Sequence, residues 1–345
     1  MRRSLLVLGA LAALLVLLAA PAAASASSYL PTRLVTTLPY GDEGAFAESM
    51  TADTCGRLDV SLTLWGATEP ATDSTGQVWQ VKPSGRSRAI MTLDLTPDQM
   101  MMGITHDSVG RLYVACADFS GTTGPVIYRL APCGEPTPIA VLPPGAWPNG
   151  LAMFGGGLYV SDSALGAIWR IPLGAGVATP TAPWYQSDLL APGDPSVDPS
   201  VLGIGVNGIA FTSGTLWAVV SDYGRLVRIA VQRHHVPGSA TVVCERSELR
   251  TADGMAVDAY GRLWVVTNAG PTQDEPGGAL FRISRTGAVS QAKVDPSRFD
   301  YPTQPVFGTA DPYRTTLFIV NGAYSAAAAP TVIAVKVGVT ARHVP

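Results

Sequence analysis

Two carboxylates and two carboxamides stand at matching places in a phrase that the chain repeats: Glu48 before Ser49, Asn149 before Gly150, Asn207 before Gly208 and Asp253 before Gly254. Met102 before Gly103 and Phe307 before Gly308 complete a set of six lead residues, so the position is oxygen-bearing in four copies and apolar in two. Oxygen ligands without His or Cys suit a hard divalent cation such as calcium, with water completing the shell. Magnesium and manganese are alternatives of the same kind, while zinc more often takes nitrogen or sulfur. The simpler reading is that each polar lead residue caps its own strand, as Asn and Asp do beside Gly. Glu48 and the apolar Met102 and Phe307 argue against it, because capping alone would not select them.

For these side chains to meet, the repeats that carry them must converge. The leads at 48, 102, 149, 207, 253 and 307 are separated by 46 to 58 residues. Each is followed by apolar residues, a tight polar turn and a second run such as Leu112-Tyr113-Val114 or Leu263-Trp264-Val265. A third run follows in each copy, for example Ile168-Trp169-Arg170-Ile171 and Leu280-Phe281-Arg282-Ile283, and fourth strands are readable at 88–93, 138–142 and 240–244. Strand-like units at this period predict an all-β chain folded as a single six-bladed β-propeller with four-stranded blades, spanning 27–345. The segment 33–38 is expected to add an outer strand to the last blade and close the ring. In that geometry the first residues of the innermost strands meet at one mouth of the channel. The long, varied loops at 65–75, 117–123, 184–205, 267–277 and 321–329 surround the same mouth, which marks it as the functional face. Three copies share Asp-x-x-Gly-Arg-Leu, at Asp53, Asp107 and Asp258. These aspartates are expected to cap turns, with Gly supplying positive φ.

Charged residues make up only 14% of the chain, against about a quarter in ordinary soluble domains, so the surface must be rich in Ser, Thr, Gly, Ala and Pro. Met1-Arg2-Arg3-Ser4, an apolar run over 5–20, Pro21 and Ala24-Ser25-Ala26 read as a signal peptide over 1–26 that is cleaved on secretion. The other reading, a membrane anchor, is disfavoured because the run is short and closed by Pro, and no later stretch is apolar enough to span a bilayer. Removal of Arg2 and Arg3 leaves 21 basic against 26 acidic residues, net −5, which excludes nucleic acid as an expected partner. Four cysteines in an oxidising compartment suggest disulfides, with Cys116 and Cys133 the favoured pair and Cys55 and Cys244 the second. The histidines His106, His234, His235 and His343 fall outside the lead positions, and no Gly-x-Ser-x-Gly is present.

The phrases Ala47-Glu48-Ser49, Pro148-Asn149-Gly150, Val206-Asn207-Gly208 and Ala252-Asp253-Gly254-Met255 occur in this order, the last followed by Asp258-Ala259-Tyr260-Gly261-Arg262-Leu263-Trp264-Val265. With them the chain resembles the senescence marker protein/gluconolactonase family, the regucalcin-like propellers, over nearly all of its mature length. The resemblance implies that Glu48, Asn207 and Asp253 bind a divalent cation, usually calcium. It also implies that Asn149 helps bind substrate and that Asp253 acts as general base in hydrolysis of a lactone or similar ester. Two departures bear on the substrate. Trp147 stands where sugar-lactone members tend to carry Arg, and Met102 and Phe307, with Met100 and Met101, suggest a greasier ligand, unless they simply pack the channel wall. Trp147, Met102 and Phe307 therefore join Asn149 as candidate substrate contacts. Asp118, Asp162, Asp222, Asn268 and Asn321 end second strands and are read first as loop caps. The expectation is a secreted, monomeric, metal-dependent hydrolase acting on a small lactone or ester; the alternative is a non-catalytic calcium-binding propeller serving as a binding scaffold. A strictosidine-synthase-like enzyme is disfavoured, because an acidic residue would be expected where Phe307 stands.

Overall fold

The computed structural model describes residues 29–66, 74–131, 135–174, 176–198, 200–269, 277–323 and 328–342. The segment read as a signal peptide and Cys133 lie outside these described residues. Six four-stranded antiparallel sheets follow one another along the chain and form the blades of a six-bladed β-propeller. The innermost strands are Gly44–Ala52, Gln99–His106, Pro148–Phe154, Val206–Thr212, Ala252–Val257 and Pro302–Phe307. Second strands, such as Leu58–Trp65 and Leu263–Thr267, return from the tight turns and are buried along most of their length. They lie inside the blade and are covered on both faces by neighbouring blades, so that even Asp59, Ser61 and Thr63, which alternate with apolar residues in Leu58–Trp65, are buried.

Ring closure follows the expected course. Thr32–Thr37 pairs antiparallel with Thr331–Lys336 as the outer strand of blade six, so the start and end of the ring share one sheet. The core is divided among the seams. Each apolar cluster joins two adjacent blades, as Val320 and Val332 of blade six meet Val60 and Leu62 of blade one. The others join blades one and two, two and three, three and four, four and five, and five and six. A blade therefore buries its faces only against its neighbours, and its stability depends on theirs.

The three Asp-x-x-Gly-Arg turns are capped as expected. Asp258 Oδ1 accepts the backbone N–H groups of Tyr260 and Arg262, each at 3.0 Å, while Oδ2 accepts Arg262 Nε at 2.6 Å and Trp264 Nε1 at 3.0 Å. Asp53 and Asp107 repeat the backbone and arginine bonds. Gly56, Gly110 and Gly261 take positive φ of 84°, 83° and 74°, respectively. Cys55, in the first of these turns, is exposed and Cys244, on the outer strand of blade four, is buried; both are free thiols, which overturns that pairing. They sit in different blades across the ring, and Cys116 is a further buried free thiol in the seam between blades one and two.

Candidate functional site at the channel mouth

The lead position coincides with a break in strand register. Pairing slips between Ala47 and Ser49, Met101 and Ile104, Pro148 and Leu151, Val206 and Ile209, Ala252 and Met255, and Pro302 and Gln304. Such bulges re-aim a side chain at a rim, and here they release Glu48, Met102, Asn149, Asn207, Asp253 and Thr303 from the ladder. The sixth member corrects the sequence reading: Thr303, and not Phe307, occupies the lead place. Phe307 follows the ten-residue spacing to Leu317 that Glu48 keeps to Leu58, but it pairs with Leu317 at the opposite end of its strand. The hairpin of blade six is longer, and the extra residues shift the lead upstream. Phe307 packs edge-on to Trp264 at 6.5 Å and lines the far end of the channel.

The glycine after Met102, Asn149, Asn207 and Asp253 has a steric cause. A Cβ on Gly150 would lie 2.8 Å from Asn207 O, and one on Gly103, Gly208 or Gly254 would collide with the carbonyl of Asn149, Asp253 or Thr303, respectively. The backbones of Asn149, Asn207, Asp253 and Thr303 thus each rest against the preceding blade's glycine. Thr303 Oγ1 completes the circuit by donating to Ala47 O at 3.0 Å.

Side-chain orientation is set by residues at the ends of the second strands. Asn149 Nδ2 donates to Ser163 Oγ and Asn207 Nδ2 to Ser221 Oγ, both at 3.2 Å. The two serines are themselves anchored, donating to Val206 O at 2.8 Å and Ala252 O at 2.6 Å. Asn268 Nδ2 donates to Asp253 Oδ2 at 2.7 Å. Ser163 and Ser221 were not singled out in the sequence, although each follows its Asn by the same fourteen residues. Of the second-strand ends read as caps, Asp162 accepts the backbone N–H groups of Trp147, Ala164 and Leu165. Asp222 accepts those of Gly193, Leu202 and Ile204, and Asp118 that of Ser120. Asn321 donates to Arg298 O, and Asn268 alone reaches a lead carboxylate.

Glu48 and Asp253 are 6% and 5% exposed, and among the described residues neither forms an ion pair with Lys, Arg or His. Burial, and then the charge of Asp253, push the Glu48 carboxyl well above the usual carboxylate range. Burial raises Asp253 to about 7, against the opposing pull of the Asn268 and Asn207 amides. Asn207 Oδ1 is buried with no hydrogen-bond partner among the described residues. Two mutually repelling carboxylates beside an orphaned carbonyl oxygen form a donor set that lacks a positive charge. Among the described residues no group of three or more His, Cys, Asp or Glu side chains could hold a metal; the mouth offers two carboxylates and two carboxamides instead.

The remaining candidates divide. Trp147 stands partly buried next to the mouth, with its edge against half-exposed Phe119 at 5.3 Å and its Nε1 buried without a partner among the described residues. Met102 is 1% exposed and packs with Tyr113, Ile127 and Leu158 in the seam between blades two and three, so it belongs to the wall. His106, at the far end of its strand, faces Asp59 and takes no part in the mouth.

No protein-family model matches the sequence, and no curated protein sequence matches it. Solved structures do. A candidate gluconolactonase superposes over 91% of this chain and 94% of its own, with a TM-score of 0.58 at 15% identity. A candidate oxidoreductase of the glucose dehydrogenase type from Thermus thermophilus matches over 88% and 99%, with a TM-score of 0.57 at 15% identity. The PQQ-bound aldose sugar dehydrogenase from Streptomyces coelicolor matches over 87% and 96%, with a TM-score of 0.54 at 16% identity. At these identities the likeness carries the architecture and leaves the chemistry to the residues. What this chain shares with gluconolactonase-like and sugar-dehydrogenase propellers is their fold.

Proposed function

We propose that the protein is a secreted, metal-dependent hydrolase of the lactonase type, with its site at the mouth formed by Glu48, Asn149, Asn207 and Asp253. The observation that carries this reading is the uncompensated pair of buried carboxylates next to the orphaned Asn207 Oδ1. Glu48, Asn207 and Asp253 fit a hard cation such as calcium, because all three present oxygen and no His or Cys stands among them. When bound, that cation supplies Lewis-acid polarisation of a lactone or ester carbonyl.

The chain's own groups perform the rest. Asp253 keeps one oxygen on the Asn268 amide and has its other oxygen to accept a proton from water. Asn149 is held by Ser163, which leaves its carbonyl oxygen to accept from a substrate hydroxyl. Trp147 and Phe119 add an apolar edge that favours a substrate with a hydrocarbon part over a bare aldonolactone. Secretion rests on the sequence over 1–26.

The test is a lactone panel, from aldonolactones to alkyl-substituted γ- and δ-lactones, assayed with chelated, calcium-loaded and Asp253→Ala protein. Calcium-dependent hydrolysis that Asp253→Ala abolishes is expected. Calcium binding without turnover of any lactone would instead support the scaffold.

A further inference from the structure

We propose that the rim of the ring remote from the lead residues docks on an anionic lipid bilayer and leaves the mouth open to water. This surface is independent of the hydrolase reading. The chain as a whole is negative, with a formal charge of −3, so attraction to an anion must come from how charge is divided between the two rims. Exposed Lys82 and Arg86 lie in the turn that follows Val81, the partner of Leu58 at the remote end of blade one. Exposed Arg233 and Arg285 occupy the corresponding turns of blades four and five, after Val231 and Ile283. Among the described residues the exposed acids of this rim are Glu135 and Asp311, and Asp311 pairs with Arg314 at 3.4 Å. Exposed Asp42, Asp94, Asp194, Asp198, Glu245 and Glu248 all stand on the mouth side.

Positive charge is concentrated at the turn of blade five. A Cβ on Gly261 would stand 3.1 Å from Arg342 Nη1 and 3.2 Å from Arg285 Cδ, so both arginines close on that turn. Arg342 is held there by Ser213 Oγ, to which its Nη2 donates at 2.8 Å. Among the described residues neither arginine pairs with an acid. The carboxylate of this turn, Asp258, is fully buried and already bonded to Arg262. Like charges held together repel, and an anion with several acceptor oxygens, such as a lipid phosphate, relieves that repulsion.

Apolar side chains at the same rim decide between a bilayer and a soluble polyanion. Tyr260 is 71% and Val109 70% exposed, and each stands just before the glycine of its turn, two residues ahead of Arg262 or Arg111. Exposed Val236 follows Arg233 by three residues in blade four. Arg262 lies over the Tyr260 ring at 4.8 Å, so aromatic and cation are presented together. An apolar tip beside a guanidinium suits the headgroup boundary, where the tip meets acyl chains and the cation meets phosphate. A soluble polyanion would leave the tips in water. Because the tips come from blades two, four and five, the contact extends across the ring and sets its orientation.

The test is cosedimentation of the full chain with vesicles of phosphatidylcholine, alone or mixed with phosphatidylglycerol. It is run at about 0.1 M and about 1 M salt, between which the screening length falls from about 10 to about 3 Å. At the lower salt the mixed vesicles are expected to bind at least tenfold more tightly than phosphatidylcholine alone, and at the higher salt this difference should vanish. Arg285→Glu combined with Arg342→Glu should weaken binding to the mixed vesicles at least tenfold, and Arg233→Glu, a single exposed change in another blade, should weaken it too. Tyr260→Ser should weaken vesicle binding while leaving that of dextran sulfate, a soluble polyanion, unchanged. Arg246→Glu, on the mouth side, should leave vesicle binding as it is. Equal binding to both kinds of vesicle, or to neither, would overturn the proposal. So would a loss in Arg246→Glu as large as in the remote-rim variants, or capture of dextran sulfate without binding to vesicles, which would make the partner a soluble polyanion.

Discussion

Asp253 and Glu48 hold protons more tightly in the folded chain than in the unfolded one, because burial disfavours their charged forms. Their sign in a pH titration follows. Stability from this pair is fully present below about pH 4, the unfolded carboxylate range, and is lost as pH rises through the raised values, about 7 for Asp253. In chelator the melting temperature should therefore fall between pH 5 and pH 8. Calcium, which competes with protons for the same oxygens, should remove most of the fall; a chelated protein whose melting temperature rises with pH would contradict the assignment. Ser221 touches no ligand yet orients Asn207, so Ser221→Ala should weaken calcium about 10- to 100-fold, as loss of an orienting partner does, measurable by titration calorimetry.

At the level of the strand and its turn, bulge and glycine act as one device. The bulge frees the lead side chain, and the following glycine lets the next blade's lead carbonyl approach. Gly208→Ala places a methyl group on Asp253 O, which should cost about 1–3 kcal/mol, the usual range for overpacking, and weaken calcium binding too. Gly174→Ala, with no atom within 4 Å of its added Cβ, should stay within about 0.5 kcal/mol of the parent in urea unfolding. The turns differ in what they support. Asp258 serves a backbone turn, an arginine and an indole while fully buried, so Asp258→Ala should cost about 3 kcal/mol. Asp53→Ala, which strands no aromatic group, should cost less. Blades three and four turn through Gly155-Gly156 and Ser213-Gly214 without such an aspartate. There Trp217 Nε1 is buried with no partner among the described residues.

Over the whole molecule, stability is shared around the ring. Val35 and Leu38 of the closing segment are buried in the seam between blades six and one, each contributing about 1.5–3 kcal/mol. A chain starting at residue 39 also loses the ladder to Thr331–Lys336. It should unfold at markedly lower temperature and with a broader transition, because an opened ring exposes both faces of one seam. Thiol chemistry reports the same closure. Exposed Cys55 should react with a thiol reagent in the native state, whereas Cys116, pushed up to about 12 by burial, should react only on unfolding.

Period, strand alternation, turn chemistry and even ring closure were legible in the sequence, because each is written in residues near one another along the chain. Glu48, Asn149, Asn207 and Asp253 were legible for the same reason, each standing before Gly or Ser at a recurring place. The sixth lead was not. Phe307 keeps the ten-residue spacing, and only the pairing of Pro302 with Asn321 shows that the hairpin is longer and the bulge falls at Thr303. Ser163, Ser221 and Asn268 gain their roles from the ends of second strands, brought beside the leads when each hairpin closes. The raised carboxyls of Glu48 and Asp253 are a property of the closed ring, since residues from blades one and five meet only across the channel, where burial and mutual repulsion act together.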